Sequence, residues 1–489
     1  MTHHRIFREA PTRAARAALL LALSTLAASA QTTPTEREAA GDVLRQIEAL
    51  QVRLKTADAG RRLSERPDPA RDQLLASAGR RWAGTMQSLS DYIGHHPEVG
   101  WQEFRSVDTL VRVLRHHGFT VDTNVAGLKT AFVARWVSPA GANGPVLGII
   151  GEYDALRSTK EPFHGDQHNA QTPVAIAAAV SLQEYMTQHR VAGSIRVFGT
   201  PAEEVGPPAK SIMRDSGVFR GTDILVRSHS STATARAQAG FGICCLNINE
   251  VKYTFTGRPS HQLTAWNGRN ALTAAVEFYT AVDHLRPSFR PEASIQGVIP
   301  EGGAAPNVVP ERAVVDYYVR YPDGVYLAHM QEMVDNAARA AAMATGTTVS
   351  INRYGEYRDG VTVGTLEEAW FSYAKKLGAT LVTPDPQRPA GFEETGGVSQ
   401  DIPGVGVSAF SSRGSYHTYE MLADAFTDVG HTGFRIDAQV MTAVLYHFLT
   451  DTEFRAAVQE EHRALAALFA QYQQNLKTAY AREVGLVVP

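Results

Sequence analysis

The sequence predicts an α/β fold: a mixed, largely parallel sheet flanked by helices, with a smaller α+β unit inserted into it. Three features predict this. Strand-like and helix-like segments alternate from about residue 72 to 247. Near residue 248 the order changes to β-α-β-β-α-β, which suggests a ferredoxin-like sandwich with helices on one face of its sheet. After about residue 362 helices and short strands resume and end in helical periodicity at 437–449 and 451–480.

Residues 1–30 have the form of a secretory signal. Arg5, Arg8, Arg13 and Arg16 give a basic start, 17–27 is apolar, and Ala28-Ser29-Ala30 fits a cleavage site. The apolar stretch is shorter than the ~20 residues of a membrane-spanning helix, so the expected location is periplasmic or secreted. Residues 31–71 read as a helical extension and linker, with helical spacing at Val43, Leu44, Ile47, Leu50 and Leu54 before Arg66-Pro67-Asp68-Pro69.

The first part of the large unit (72–247) carries helical segments at 72–94 and 104–118 and strands near 119–125, 130–136 and 146–151. An Ala-rich helix over 173–189 and a strand over 194–200 follow. The inserted unit (248–362) carries strands at 251–256, 295–300 and 313–320 and helices at 270–285 and 327–343. Residues 363–489 complete the large unit.

At 489 residues the chain can bury large cores without covalent help. A formal charge of −3 gives no sign of nucleic-acid or anionic-membrane binding. The two cysteines, Cys244 and Cys245, are adjacent, so no disulfide framework is expected and they read as small packing residues.

The chemistry gathers at predicted strand ends. Glu203 and Glu204 follow the strand 194–200, where one carboxylate can bind a metal while its neighbour moves a proton. Asp154 follows 146–150, and His229 follows 223–226. Asp166 and His168, in an extended loop, point to one side; carboxylate plus imidazole suits zinc or manganese. His417 lies within Ser415-Tyr416-His417-Thr418. Alone, the glutamate pair is more often a solvated loop, Asp154 a turn cap, and His229 or His417 a structural histidine, while for Asp166 and His168 a solvated loop and a metal site stand about even.

Taken in order, the segments resemble the M20 metallopeptidase family. The carriers are His96-Pro97-Glu98, Gly151-Glu152-Tyr153-Asp154-Ala155-Leu156, 164–169, Gly199-Thr200-Pro201-Ala202-Glu203-Glu204, 255–261, 301–310, Tyr318-Val319-Arg320 and His417. The resemblance runs from about 80 to 450 and is strongest to the amidohydrolase subgroup, in its aminoacylase-like and aminobenzoyl-glutamate branch. It implies that Asp166, His168, Glu204, His229 and His417 hold two divalent ions, zinc or manganese, with Glu203 as general base and acid and Asp154 behind the ligands. It further implies that the inserted unit is a lid that forms a homodimer, that His261 stabilises the oxyanion, and that Asn307 and Arg320 hold a substrate carboxylate. The subgroup usually has Cys where Asp166 stands, which shifts the site towards oxygen ligation. Gly396-Gly397 stands where relatives often carry Asp.

The expectation is an exported amidohydrolase that cleaves N-acyl or N-aroyl amino acids, with no nucleic-acid or membrane partner. The alternatives are a dipeptidase or carboxypeptidase of the same fold and a non-catalytic binder of amidated amino acids.

Overall fold

A computed structural model describes residues 33–236, 246–383 and 396–483. Its first half comprises α1 (Pro34–Leu54), α2 (Thr56–Glu65), α3 (Pro69–Arg81), α4 (Gln87–Gly94), α5 (Phe104–His116), β1 (Thr120–Thr123), β2 (Phe132–Val137), β3 (Val146–Gly151), α6 (His168–Gln188), β4 (Ser194–Gly199), α7 (Ala209–Asp215) and β5 (Ile224–Ser228). Then come β6 (Asn247–Thr256), α8 (Ala271–Leu285), β7 (Ser294–Glu301), β8 (Arg312–Tyr321), α9 (Gly324–Thr345), β9 (Thr348–Tyr357), α10 (Gly364–Lys376), α11 (Gly396–Ser399), β10 (Gly404–Val407), α12 (Tyr419–Ala425), α13 (Asp428–Thr450) and α14 (Thr452–Tyr480). The signal-like run 1–30, the pair Cys244-Cys245, and Glu394-Thr395 lie outside the described residues.

The large sheet has the order β1-β2-β4-β3-β5-β10. Strands β4, β3, β5 and β10 run parallel, while β1 and β2 are antiparallel to their neighbours. The central strands are apolar on both faces, as expected for parallel strands covered by helices on each side. Ile149, Val197 and Val226 share one core with Val174 and Ile176 of α6 and Met441 of α13. Ile150, Phe198 and Leu225 face the other way, against Met213 and Phe219.

The small sheet has the order β7-β8-β6-β9, all antiparallel. Its β-α-β-β-α-β connectivity agrees with the sequence expectation. Val251, Tyr253, Phe255, Val315 and Tyr317 bury one face under Phe278 of α8 and Met330 and Val334 of α9. Among the described residues no helix is long and apolar enough to cross a membrane.

The described part of the segment 31–71, residues 33–71, is not an appended arm. Thr33 and Glu36 close a capping box at the start of α1, and Ala39, Ala40, Val43 and Ile47 sink into the small unit's core beside Leu465, Phe469 and Leu476 of α14. The buried Glu36 carboxylate accepts from Tyr321, Tyr480 and Arg290. The Arg66–Pro69 stretch is a fixed corner rather than a free linker. Asp68 caps α3 and accepts from the Tyr446 hydroxyl at 2.9 Å, while buried Arg71 donates to the carbonyls of Leu63 and Arg66.

Candidate active site

Because β3, β4 and β5 are parallel neighbours, their carboxyl ends deliver three polar segments to one edge of the sheet. Glu152 and Asp154 follow β3, Glu203 and Glu204 follow β4, and His229 follows β5. Helix α6 begins at His168, directly under β3. Gly151 is required here, since a Cβ would stand 2.4 Å from the Thr172 hydroxyl and 2.8 Å from its Cα. Asp437 of α13 fixes two strand ends, accepting from Ser228 Oγ at 2.7 Å and from the Ala409 N–H at 2.8 Å.

Two expectations about local geometry need correction. The Ala-rich helix starts at His168 rather than near residue 173, and Pro173 lies inside it. Asp166 and His168 face the same site through a turn, with Gln167 left-handed at φ 55°, rather than through strand alternation. Ala202, just before the glutamates, has φ 54°, and His417 has φ 62°. Non-glycine residues adopt this region at a cost of about 1 kcal/mol each, so the backbone at three points of the site is held by its surroundings.

Of the sequence-predicted residues, Asp154, Asp166, His168, Glu204, His229 and His417 come together. His168 Nε2 is 4.0 Å from Glu204 Oε1, and His417 Nε2 is 3.7 Å from Glu204 Oε2 and 3.1 Å from Asp166 Oδ2. The His168 and His229 rings have centroids 5.6 Å apart. Asp154 stands behind them, with Oδ1 3.1 Å from His168 Nδ1 and Oδ2 accepting the Glu204 N–H at 2.9 Å. The His168, Asp166 and Glu204 side chains are buried, whereas the His417 side chain is 59 % exposed, so the site opens on the His417 side.

Glu152 and Lys210 are residues to which sequence reasoning assigns no role. Lys210 Nζ lies 2.5 Å from Glu152 Oε1, with both side chains buried. Burial pushes the Glu152 carboxyl up, but Lys210 and His168 outweigh it and hold it below its usual range. Burial and the Glu152 charge push Glu203 up to about 7. Glu204 rises through burial, against the pull of His168. Burial also raises Asp166, but the His417 hydrogen bond and His229 bring it below its ordinary value.

The donors fit divalent cations. Glu152, His168 and His229 offer ligand atoms within 4.8 Å of one another, as do Asp166, His168 and Glu204. Glu152 Oε2 and His168 Nε2 are buried without a hydrogen-bond partner, an arrangement that is costly unless an ion lies between them.

The three lid residues lie at different ends of the small sheet. His261 accepts from the Leu263 N–H at 3.1 Å and bridges Val308, and the Asn307 carbonyl accepts from Gln262 at 3.1 Å. Both stand beyond the Thr256 and Arg312 end of the small sheet, roughly 30 Å along β6 from the end that joins the large unit. Arg320 pairs with Ile248 near that junction, its guanidinium 5.8 Å from the Tyr318 ring. Asn307 precedes the start of β8, and Arg320 lies near its other end. Gly396-Gly397 begins a turn whose Ser399 hydroxyl accepts from Val361 N–H.

A sheet edge gathering carboxylates and imidazoles, beside an inserted α+β unit, defines a candidate metal centre in a two-unit α/β protein. Residues 246–345 match the M20 peptidase dimerisation domain. The chain is 31% identical to the Xaa-Arg dipeptidase of Mus musculus over 357 residues, 71% of this chain and 78% of that one. It is 26% identical to a component of the p-aminobenzoyl-glutamate hydrolase of Escherichia coli K12 over 448 residues, 77% of this chain and 91% of that one. Its fold is similar to that of a dinuclear metal-binding M20 peptidase from Bacillus subtilis (TM-score 0.51, 19% identity, 76% of this chain and 99% of that one). The chain belongs to the M20 family of metallopeptidases and amidohydrolases, and is a hydrolase of amide bonds.

Proposed function

We propose that this chain is a two-metal amidohydrolase that cleaves the amide of N-acyl or N-aroyl amino acids, in the manner of aminobenzoyl-glutamate. The observation that carries this is the division between the adjacent glutamates. Glu204 belongs to a group of ligand atoms with Asp166 and His168, whereas Glu203 belongs to neither such group.

Asp166, His168, Glu204, His229 and His417 would hold two divalent ions, zinc or manganese. When bound, such ions polarise a carbonyl and lower the pKa of water. Glu203 as carboxylate takes the proton of the attacking water and returns it to the leaving nitrogen. Asp154 keeps the proton on His168 Nδ1, which leaves Nε2 aimed into the site. The substrate enters past His417, and Arg320 offers its carboxylate a planar, bidentate partner.

The match to a dimerisation domain supports a homodimer through the small unit. The distal position of His261 and Asn307 supports their serving the partner's site, where His261 stabilises the oxyanion and Asn307 positions the substrate. The run 1–30 supports export to the periplasm or outside.

The identity to an Xaa-Arg dipeptidase favours a second reading, cleavage of unblocked dipeptides. A screen of N-acyl and N-aroyl amino acids against free dipeptides, on protein carrying two ions by elemental analysis, separates the two. Turnover confined to free dipeptides overturns the first reading, and well-folded protein that takes up no metal overturns both.

A further inference from the structure

Glu152 has no part in the ligand set above, yet it is built like a member of it. It follows Gly151 at the end of β3, two residues before Asp154, and is 2% exposed. Its two oxygens have different neighbours. Oε1 lies 2.5 Å from Nζ of Lys210, which has no exposed surface. Oε2 has no hydrogen-bond partner and lies 3.5 Å from His168 Nε2, which has none either.

Asp154 already engages Nδ1 of that imidazole. In the tautomer this selects, Nε2 carries a lone pair. Two lone-pair donors facing each other in a buried space repel unless a proton or a metal cation lies between them. Donor atoms sharing one ion at about 2.0–2.2 Å stand roughly 3.0–3.6 Å apart, and the Glu152 to His168 separation falls in that range. His229 completes the group, with all three ligand atoms within 4.8 Å of one another.

We propose that Glu152 is a further metal ligand, binding through Oε2 the ion that His168 and His229 hold, with Lys210 as the positioning residue that fixes its other oxygen. The proposal rests on the metal-hydrolase reading. It also gives Lys210 a reason to be buried. With Oε1 engaged, the carboxylate can present only Oε2, and one negative charge is offset in a site already holding Asp166, Glu203 and Glu204. Together with Asp166 in place of a thiolate, the added oxygen makes the site richer in hard donors and favours manganese over softer ions.

The test uses the full chain, stripped with a chelator. Mn²⁺ binding is followed by calorimetry, and Co²⁺ binding by visible absorption. The wild type should take two ions; a wild type that takes none overturns the metal reading and this proposal with it. Glu152→Gln should bind one of its two ions about 10–100-fold more weakly, with a changed Co²⁺ spectrum. Because that variant leaves Lys210 buried and unpaired, the double variant Glu152→Gln/Lys210→Met removes both charges and should show the same metal defect. Glu152→Asp keeps the charge but shortens the reach, and should weaken the same ion. Two ions bound at wild-type affinity, with an unchanged Co²⁺ spectrum, in the folded double variant or in Glu152→Asp would overturn the assignment and leave Glu152 as the partner of Lys210 alone.

Discussion

Asp154 holds His168 by its back nitrogen, Oδ1 to Nδ1 at 3.1 Å, with neither side chain exposed to solvent. Its other oxygen takes the Glu204 N–H. A single carboxylate therefore sets the rotation of one metal-facing ring and the backbone position of the glutamate opposite it. Orientation of this kind is normally as important to a metal site as the ligands themselves.

Asp154→Asn should lower metal affinity about 10–100-fold while leaving the fold intact. Competition against a chromophoric chelator measures the first, and far-UV circular dichroism the second. Wild-type affinity in the variant would remove Asp154 from this role.

Glu203→Gln should reduce kcat by about 10²–10⁴-fold without changing metal content. Elemental analysis beside steady-state kinetics checks it. Retained turnover would assign proton transfer to another group.

If His261 serves the partner's site, Glu203→Gln and His261→Ala are each inactive alone but complement one another when mixed. Random exchange gives half heterodimers, each with one intact site, so about a quarter of wild-type activity should return. No recovery after verified subunit exchange would place His261 outside the partner's site.

Glu36→Ala leaves Arg290, Tyr321 and Tyr480 facing a lost acceptor in a buried setting. The expected cost is about 3 kcal/mol, seen as a Tm several degrees lower. A Tm within one degree of wild type would show that water replaces the carboxylate at no cost.

Asp359 gives a pH test away from the metal site. Burial pushes its carboxyl from 3.8 up to about 7, and nearby Asp323 adds to this. Between those values the folded chain keeps a proton that the unfolded chain has released. Its contribution is therefore greatest below about pH 4, falls as pH rises to about 7, and then levels off. Asp359→Asn cannot titrate, so its Tm should gain on the wild type between pH 5 and pH 8. Parallel melting curves would disprove this.

The strand ends were legible because each apolar run stops at a polar motif, and parallel neighbours must bring such ends together. The helix expected over 270–285 was legible too, and in the structure Asn270 caps it by accepting from Thr273 N–H. The start of α6 was not. Pro173 imitates a first-turn proline, but the helix begins at His168, because the left-handed turn at Gln167 is stabilised by contacts distant in sequence. Its side chain donates to the carbonyls of Ser411 and Met421.

Lys210 carries no local signal, since a lysine in a short helix reads as surface until its buried partner is seen. Glu152 did carry one. It stands after β3 as Glu203 stands after β4, and only the absence of a neighbouring acid made it inconspicuous. The amphipathic face of α1 was readable, but not its partner, which is made by α14 more than 400 positions later.

That pairing of the first and last helices sets an order on biosynthesis. Val43 and Ile47 pack with Leu465, Phe469, Leu476 and the small unit, so the apolar face made first waits for residues made last. A chain emerging in one direction cannot close this core until about residue 480 is available. Until then the apolar face of α1 has nothing to pack against.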